Sequence, residues 1–356
     1  MTVSELPRVT PSFVEQPSQV AWPTNEWPRA HASVELEKVA DEVFDLIDVV
    51  GVTNAVVVIQ GGKVLYERYG GVREFFDRDP EPIDQHSTLL SWSMAKSMLH
   101  MIVGGLVDRG VLDPDQLAPV PEWSDESDPR HQIRLGDLLA MRDGLAFVEN
   151  YEIGQTSHVI EMLFGEGKTD MAGFTARLPL AHEPGTYFSY SSGTTNVLSR
   201  IVADQVGYGD QYRDYLQRNL FDAIGMTSAE ATFDPTGVFV ASSYVHATAL
   251  DFAKFGLLYL RGGQWEDQQL ISRSWAATAQ VPLSLDEESD SFYSWQWWVT
   301  GDRYGTYWAN GFEGQMISVV PALDALVVRF GHTPEDGYPG LQAWRTRVLD
   351  VLARES

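Results

Sequence analysis

The sequence predicts an α+β protein in which an antiparallel sheet, built from strands near both ends of the chain, carries a mostly helical inserted region. Three observations predict it. Asn54–Gln60 and Lys63–Tyr69 are rich in β-branched and aromatic residues and flank Gly61-Gly62, which reads as a hairpin. From Ser93 to about residue 234 the pattern turns helical, in short stretches broken by proline and glycine. Strand-like segments then return at Ser291–Thr300, Tyr304–Asn310, Gln315–Val320 and Ala325–Gly331. The expected organisation is an extended arm over residues 1–32, an α/β part over about 33–90 and 235–356, and a helical part over about 91–234.

Composition allows such a core. Of 356 residues 44% are apolar and 12% aromatic, which excludes global disorder. There is no cysteine, so disulfides, thiolate metal sites and a cysteine nucleophile are excluded. A formal net charge of −25 repels nucleic acid and anionic lipid, so neither is an expected partner. No apolar run approaches the ~20 residues of a membrane span. The eight histidines lack metal-ligand spacing such as H-E-x-x-H, and no metal is expected. Met1 to Arg29 has neither a basic start nor an apolar run; no signal peptide is read, and a cytoplasmic location is the default.

Each element has its own justification. Pro7, Pro11, Pro17, Pro23 and Pro28 keep the arm extended, with Trp22 and Trp27 as anchors. Ser33 is a plausible N-cap for a helix that sets Leu36, Val39, Val43 and Ile47 on one face. A helix from Ser93 to about Arg109 turns Met94, Met98, Met101, Ile102 and Leu106 toward a core. Gly104-Gly105 weakens it unless another backbone packs closely there. Leu135–Met141 and Thr195–Val206 are further helical patterns. The last helix, Gly340 to Leu352, has Leu341, Trp344, Val348 and Leu352 in register.

The chemistry begins at Ser93-Met94-Ala95-Lys96. Residues i and i+3 share a helix face, so the lysine nitrogen can lie beside the serine oxygen. A serine is a weak nucleophile until a base removes its proton, and a partly desolvated lysine can be that base. Only five lysines occur, and no other has a serine three positions earlier. Chance alone would still supply roughly 0.4 such pairs, so the context decides. A second segment, Pro184 to Asn196, runs from a Pro-Gly turn through Tyr190, Ser191 and Ser192 into another helical pattern.

With these residues the chain resembles the serine β-lactamase-like hydrolases: class C β-lactamases, DD-peptidases, family esterases and 6-aminohexanoate-dimer hydrolases. These share an S-x-x-K tetrad, a tyrosine motif and a late strand bearing K-T-G or a variant. The resemblance runs from about residue 50 to 350. It includes Leu138 to Leu145, Leu220 to Met226 and Asp251 to Gly263. The Ser-Met-Ala-Lys-Ser form, the Trp-Pro-rich arm and Gly314-Gln315 look closest to the 6-aminohexanoate-dimer hydrolase branch.

The resemblance implies a β-lactamase/transpeptidase-like fold and a cofactor-free hydrolase with Ser93 as acylated nucleophile. Lys96 and Tyr190 would share the proton work; which takes the first proton stays open. Free lysine and tyrosine have pKa values of about 10.4 and 10, so the pair must titrate as a unit to serve near neutral pH. Ser192 would orient the lysine. Aligning Gly311-Phe312-Glu313-Gly314-Gln315 with the glycine-rich strand puts Ala309-Asn310-Gly311 at K-T-G. The N–H groups of Ser93 and Phe312 would form the oxyanion hole. Asn310 and Gly311 would line the substrate, with Gly311 letting it approach the strand. Tyr151 would close over it from a loop. Ala309 removes the cation that would meet a substrate carboxylate. An ester or small linear amide is therefore the expected substrate, ahead of a β-lactam or D-Ala-D-Ala peptide.

Several alternatives are weaker. A binding or sensor module of the same fold would not need Ser93, Lys96 and Tyr190 intact. The α/β-hydrolase elbow G-x-S-x-G is absent. Glu161 and Glu166 could meet a cationic substrate end, but a solvated helix face explains them as well. A homodimer is an allowed assembly.

Overall fold

The computed structural model describes residues 6–73, 79–151, 154–287 and 289–355; the first five residues of the arm lie outside these. Helix α1 (Val34–Asp45) leads into the hairpin β1 (Val52–Gln60) and β2 (Lys63–Tyr69). The helical region holds α2 (Met94–Asp108) and α3 (Ser192–Val206), and α4 (Ala249–Leu260) returns the chain to the sheet. The remaining strands are β3 (Ser284–Asp286), β4 (Ser291–Tyr293), β5 (Trp298–Val299), β6 (Tyr307–Gly311), β7 (Gln315–Val320) and β8 (Ala325–His332). Helix α5 (Tyr338–Glu355) ends the chain.

These eight strands form one sheet in the order β3-β4-β5-β6-β7-β8-β1-β2, every pair antiparallel. The N-terminal hairpin thus joins the C-terminal strands through β1 and β8, which is why strand signals sit at both ends of the sequence. Side chains alternate faces along a strand, and here both faces are buried. Val56 and Val58 pack with Leu36 and Val43 of α1 and Trp344 and Val348 of α5. Ala55, Val57 and Ile59 face the larger core with Met98 of α2 and Phe252 of α4. Burying one such aliphatic side chain is worth about 1.5–3 kcal/mol over leaving it in water, so each face is strongly specified. The arm covers the free edge of β2: Val64 N–H donates to Pro28 at 2.9 Å, and Ala30 N–H donates to Val64 at 3.0 Å. The Trp27 indole is buried and donates to Leu250 O, and Trp22 lies 5.1 Å from Trp265.

Several details differ from the sequence reading. The first helix stops at Asp45, and Ile47 opens a separate turn with 57% of its surface exposed. Helix α3 begins three residues earlier than its apolar pattern, because Ser191 caps it by accepting from Thr194 N–H at 3.0 Å. The expected strand Ser291–Thr300 is two strands. Between them Gln296 takes a φ of 56°, and its amide donates to Leu139 O and accepts from Thr195 Oγ1. Tyr304 precedes the next strand instead of joining it. At Gly104 the close neighbour is not a backbone but the Trp275 indole, 2.2 Å from where a Cβ would sit. Among the described residues, no helix is long and apolar enough to cross a membrane.

Candidate active site

Helix α2 starts with a serine that does not cap it. Ser33 accepts Leu36 N–H at 3.0 Å in the ordinary way, whereas Ser93 makes no cap bond. Lys96 Nζ donates to the Ser93 hydroxyl instead, at 3.0 Å. The residue before it, Trp92, has a φ of 44°, an outlier for a bulky side chain that costs about 1–3 kcal/mol. Ser91 pins this turn: its N–H donates to Val245 O at 2.8 Å, and its Oγ accepts Val245 N–H at 3.0 Å. After this turn Ser93 itself has helical backbone angles, φ −65° and ψ −7°, not the extended ones of a capping serine.

Lys96 is 1% exposed. Its other partners are Ser192 Oγ at 3.1 Å, at the start of α3, and the carbonyl of Ser242 at 2.9 Å. All three partners are neutral. Burial pushes the ammonium down from 10.5 to about 8, and the Glu149 carboxylate nearby pulls in the opposite direction. Tyr190 packs its ring 4.9 Å from the lysine nitrogen, beside the Ser93 side chain. Burial and then the charge of Glu149 raise its phenol well above 10, while Ser93 opposes that rise. Burial thus favours the neutral form of both groups, the free amine of Lys96 and the phenol of Tyr190. Trp298 and Tyr293 hold the Tyr190 ring at 5.5 and 5.8 Å.

Strand β6 lies against the same turn. A Cβ at Gly311 would sit 2.4 Å from Ser91 O, so glycine is required there by the protein's own backbone. This is a different reason from the one the sequence suggested, which left the space for substrate. Ala309 is fully buried in the core with Ile317, with no surface to meet a substrate carboxylate. Asn310 is half-buried on the opposite strand face, opposite Met316. Phe312 follows at the rim with 39% of its surface exposed. An aromatic row runs from Tyr244 to Trp92 (6.1 Å), Phe312 (5.6 Å) and Tyr151 (4.8 Å). Tyr151, 44% exposed, is the outer member of this row, against Phe312. Glu161 and Glu166 are both exposed, as a solvated face would be.

The residue that sequence reasoning missed is Glu149. One of its oxygens accepts from Ser192 Oγ and from Tyr151 OH, each at 2.7 Å; the other accepts Ser192 N–H at 2.7 Å. It binds a helix start 43 residues away, a relation no local spacing encodes. The carbonyl of Ser242 was missed for the same reason.

Fold and site together define a β-lactamase-like serine hydrolase. The family model described as Beta-lactamase matches residues 45–350, and the chain belongs to that family. It is 30% identical over 320 residues to the 6-aminohexanoate-dimer hydrolase of Paenarthrobacter ureafaciens, covering 84% of this chain and 77% of that one. Two solved structures share the fold. One is a proposed 6-aminohexanoate-dimer hydrolase from Bacillus anthracis, with TM-score 0.76, 21% identity and coverage of 96% of this chain and 89% of that chain. The other is a penicillin-binding protein from Bacillus halodurans, with TM-score 0.67, 17% identity and coverage of 85% and 99%.

Proposed function

We propose that this protein hydrolyses an ester or a small linear amide through an acyl-enzyme on Ser93. The observation that carries the reading is a buried lysine 3.0 Å from the Ser93 hydroxyl with only neutral hydrogen-bond partners. A lysine with a lowered pKa can be neutral for a useful fraction of the time near pH 8, which a free lysine cannot.

In this reading Lys96 accepts the Ser93 proton as the oxygen bonds to the substrate carbonyl carbon. The carbonyl electron pair moves onto oxygen, where the N–H groups of Ser93 and Phe312 stabilise the charge. As the tetrahedral intermediate collapses, the leaving oxygen or nitrogen takes a proton through Tyr190. Water then attacks the acyl group by the reverse relay, releasing a carboxylic acid and restoring Ser93. Tyr151 and Phe312 supply apolar walls for the substrate, and Ala309 offers no cation to a carboxylate. The 6-aminohexanoate-dimer hydrolase relative supports a linear amide as one acceptable substrate.

A fluorophosphonate probe read by intact mass, with p-nitrophenyl esters, linear amides and nitrocefin assayed side by side, tests the proposal. One adduct on Ser93 with ester or amide turnover is expected. No adduct would overturn the enzyme mechanism, an adduct without turnover favours a sensor, and nitrocefin hydrolysis far above the esters overturns the substrate class.

A further inference from the structure

Hydrogen-bond arithmetic around Lys96 assigns a role to Glu149. A serine hydroxyl has one proton and can accept through its lone pairs; a carboxylate can only accept. Ser192 Oγ lies 2.7 Å from Glu149 Oε1 and 3.1 Å from Lys96 Nζ. Its single proton therefore goes to the carboxylate, and its lone pair faces the lysine. The Ser242 carbonyl, 2.9 Å from the same nitrogen, can only accept as well. A neutral amine has two N–H bonds and one lone pair. With both N–H bonds taken by Ser192 and Ser242, the lone pair is left pointing at the third neighbour, Ser93 Oγ at 3.0 Å.

We propose that Glu149 is a positioning residue for the reaction: by taking the Ser192 proton it makes that oxygen an acceptor, so that neutral Lys96 presents its lone pair to Ser93. The inference rests on the reading of Ser93 as nucleophile and adds the group that orients its base. Proton flow balances, because the Ser93 proton fills the lysine lone pair as Oγ bonds to the carbonyl carbon, while Glu149 and Ser192 keep their own protonation throughout. Glu149 also accepts Ser192 N–H at 2.7 Å, one of the N–H groups that the start of α3 leaves without a partner inside the helix. The same carboxylate holds Tyr151 OH, tying the substrate rim to the base.

The groups that face Lys96 are Ser93 on its own helix, Tyr190, Ser192 on α3, the Ser242 carbonyl and, through Ser192, Glu149. Tyr151 and Tyr293 face Glu149, and Tyr338 and Asp286 act on Tyr190 from further off. Among these, Glu149 is the charge that the lysine feels. Negative charge favours the ammonium, so Glu149→Gln lowers the lysine pKa while disordering its orientation. An amide cannot accept from Ser192 with both of its heads.

The experiment is the pH dependence of kcat/KM for p-nitrophenyl butyrate in the full-length wild type, Glu149→Gln, Glu149→Asp and Ser192→Ala, with fluorophosphonate labelling beside it. For Glu149→Gln the plateau is expected to fall about tenfold to a hundredfold, and the acid limb to move down by about one pH unit. Glu149→Asp keeps the charge and should keep the limb in place. Ser192→Ala cuts the relay and should lower the plateau with a smaller limb shift. A merely structural Glu149 would lower the plateau of both Glu149 variants without moving either limb, and that result overturns the proposal. So does a Glu149→Gln profile that overlays the wild type. Should Glu149→Gln not fold, Ser192→Ala decides, since a wild-type plateau there overturns the relay. No Ser93 adduct in the wild type would remove the functional reading and this proposal together; an adduct with an unmoved limb removes the proposal alone.

Discussion

Helices α2 and α4 each bury a lysine three residues after an oxygen-bearing side chain, and their surroundings are opposite. Lys254 in α4 forms an ion pair with Asp251 at 2.9 Å, both side chains almost wholly buried, and also donates to Gly225 O. Asp251 in turn accepts Ser228 N–H and Oγ, at 2.9 and 2.6 Å. Lys96 in α2 has the same i, i+3 geometry, but its partner is a hydroxyl and its other contacts are neutral oxygens. A carboxylate at contact compensates a buried ammonium and holds the proton on it; neutral acceptors compensate it only partly and leave the proton removable. Spacing alone therefore brings the groups together, and the charge of the partner decides whether the pair is a fastener or a base.

The largest effect should come from the chemistry of α2. Ser93→Ala is expected to lower kcat/KM by about 10⁴-fold or more, and Lys96→Met by about 10³-fold. Steady-state hydrolysis checks both, and an active Lys96→Met would break the comparison outright. Stability should respond in the reverse sense. Lys254→Met strands the Asp251 carboxylate in the core and is expected to cost about 3–5 kcal/mol in denaturant unfolding, with kcat retained by the folded fraction. Lys96→Met removes a lysine that folding must desolvate, and at pH 7 it should gain on the order of 1–3 kcal/mol.

The pH dependence sharpens the same contrast. Burial holds the Lys96 pKa at about 8 against 10.5 for the free group. Between those values the unfolded chain binds more protons than the folded one, so stability rises as pH rises from 8 to 10.5, and the penalty is fully present below 8. That rise should vanish in Lys96→Met. For activity, the acid limb of kcat/KM should lie near 8, since the neutral amine is the working form. The smallest effect belongs to the other serine. Ser33→Ala removes a cap bond and should cost about 1 kcal/mol without touching kcat, whereas Ser93→Ala, with no cap bond to lose, should leave the melting temperature within error.

Much of this architecture is legible locally. The Gly61-Gly62 hairpin, the Ser33 cap, the strands from Gln315 onward and the helical spacing of Ser93 and Lys96 follow from contacts within a few residues. Reading failed where a distant partner overrides the local pattern. Gln296 breaks a strongly β-forming run because its side chain bonds to Thr195 and Leu139, and Ile47 leaves its helix face once the chain turns toward β1. Gly311 was recognised, but its reason, the carbonyl of Ser91, could not be seen along the chain.

The sequence by itself determined the fold class, the family resemblance and the Ser93–Lys96 pairing, because helical periodicity fixes which side chains share a face. Only the tertiary structure decided what that lysine could be. The neutral oxygens of Ser192 and Ser242, 96 and 146 residues away, and the carboxylate of Glu149 behind them set its burial, its proton affinity and its direction. Proton affinity depends on every charge and dipole within a few ångströms, and those neighbours are assembled by the fold, not by adjacency along the chain.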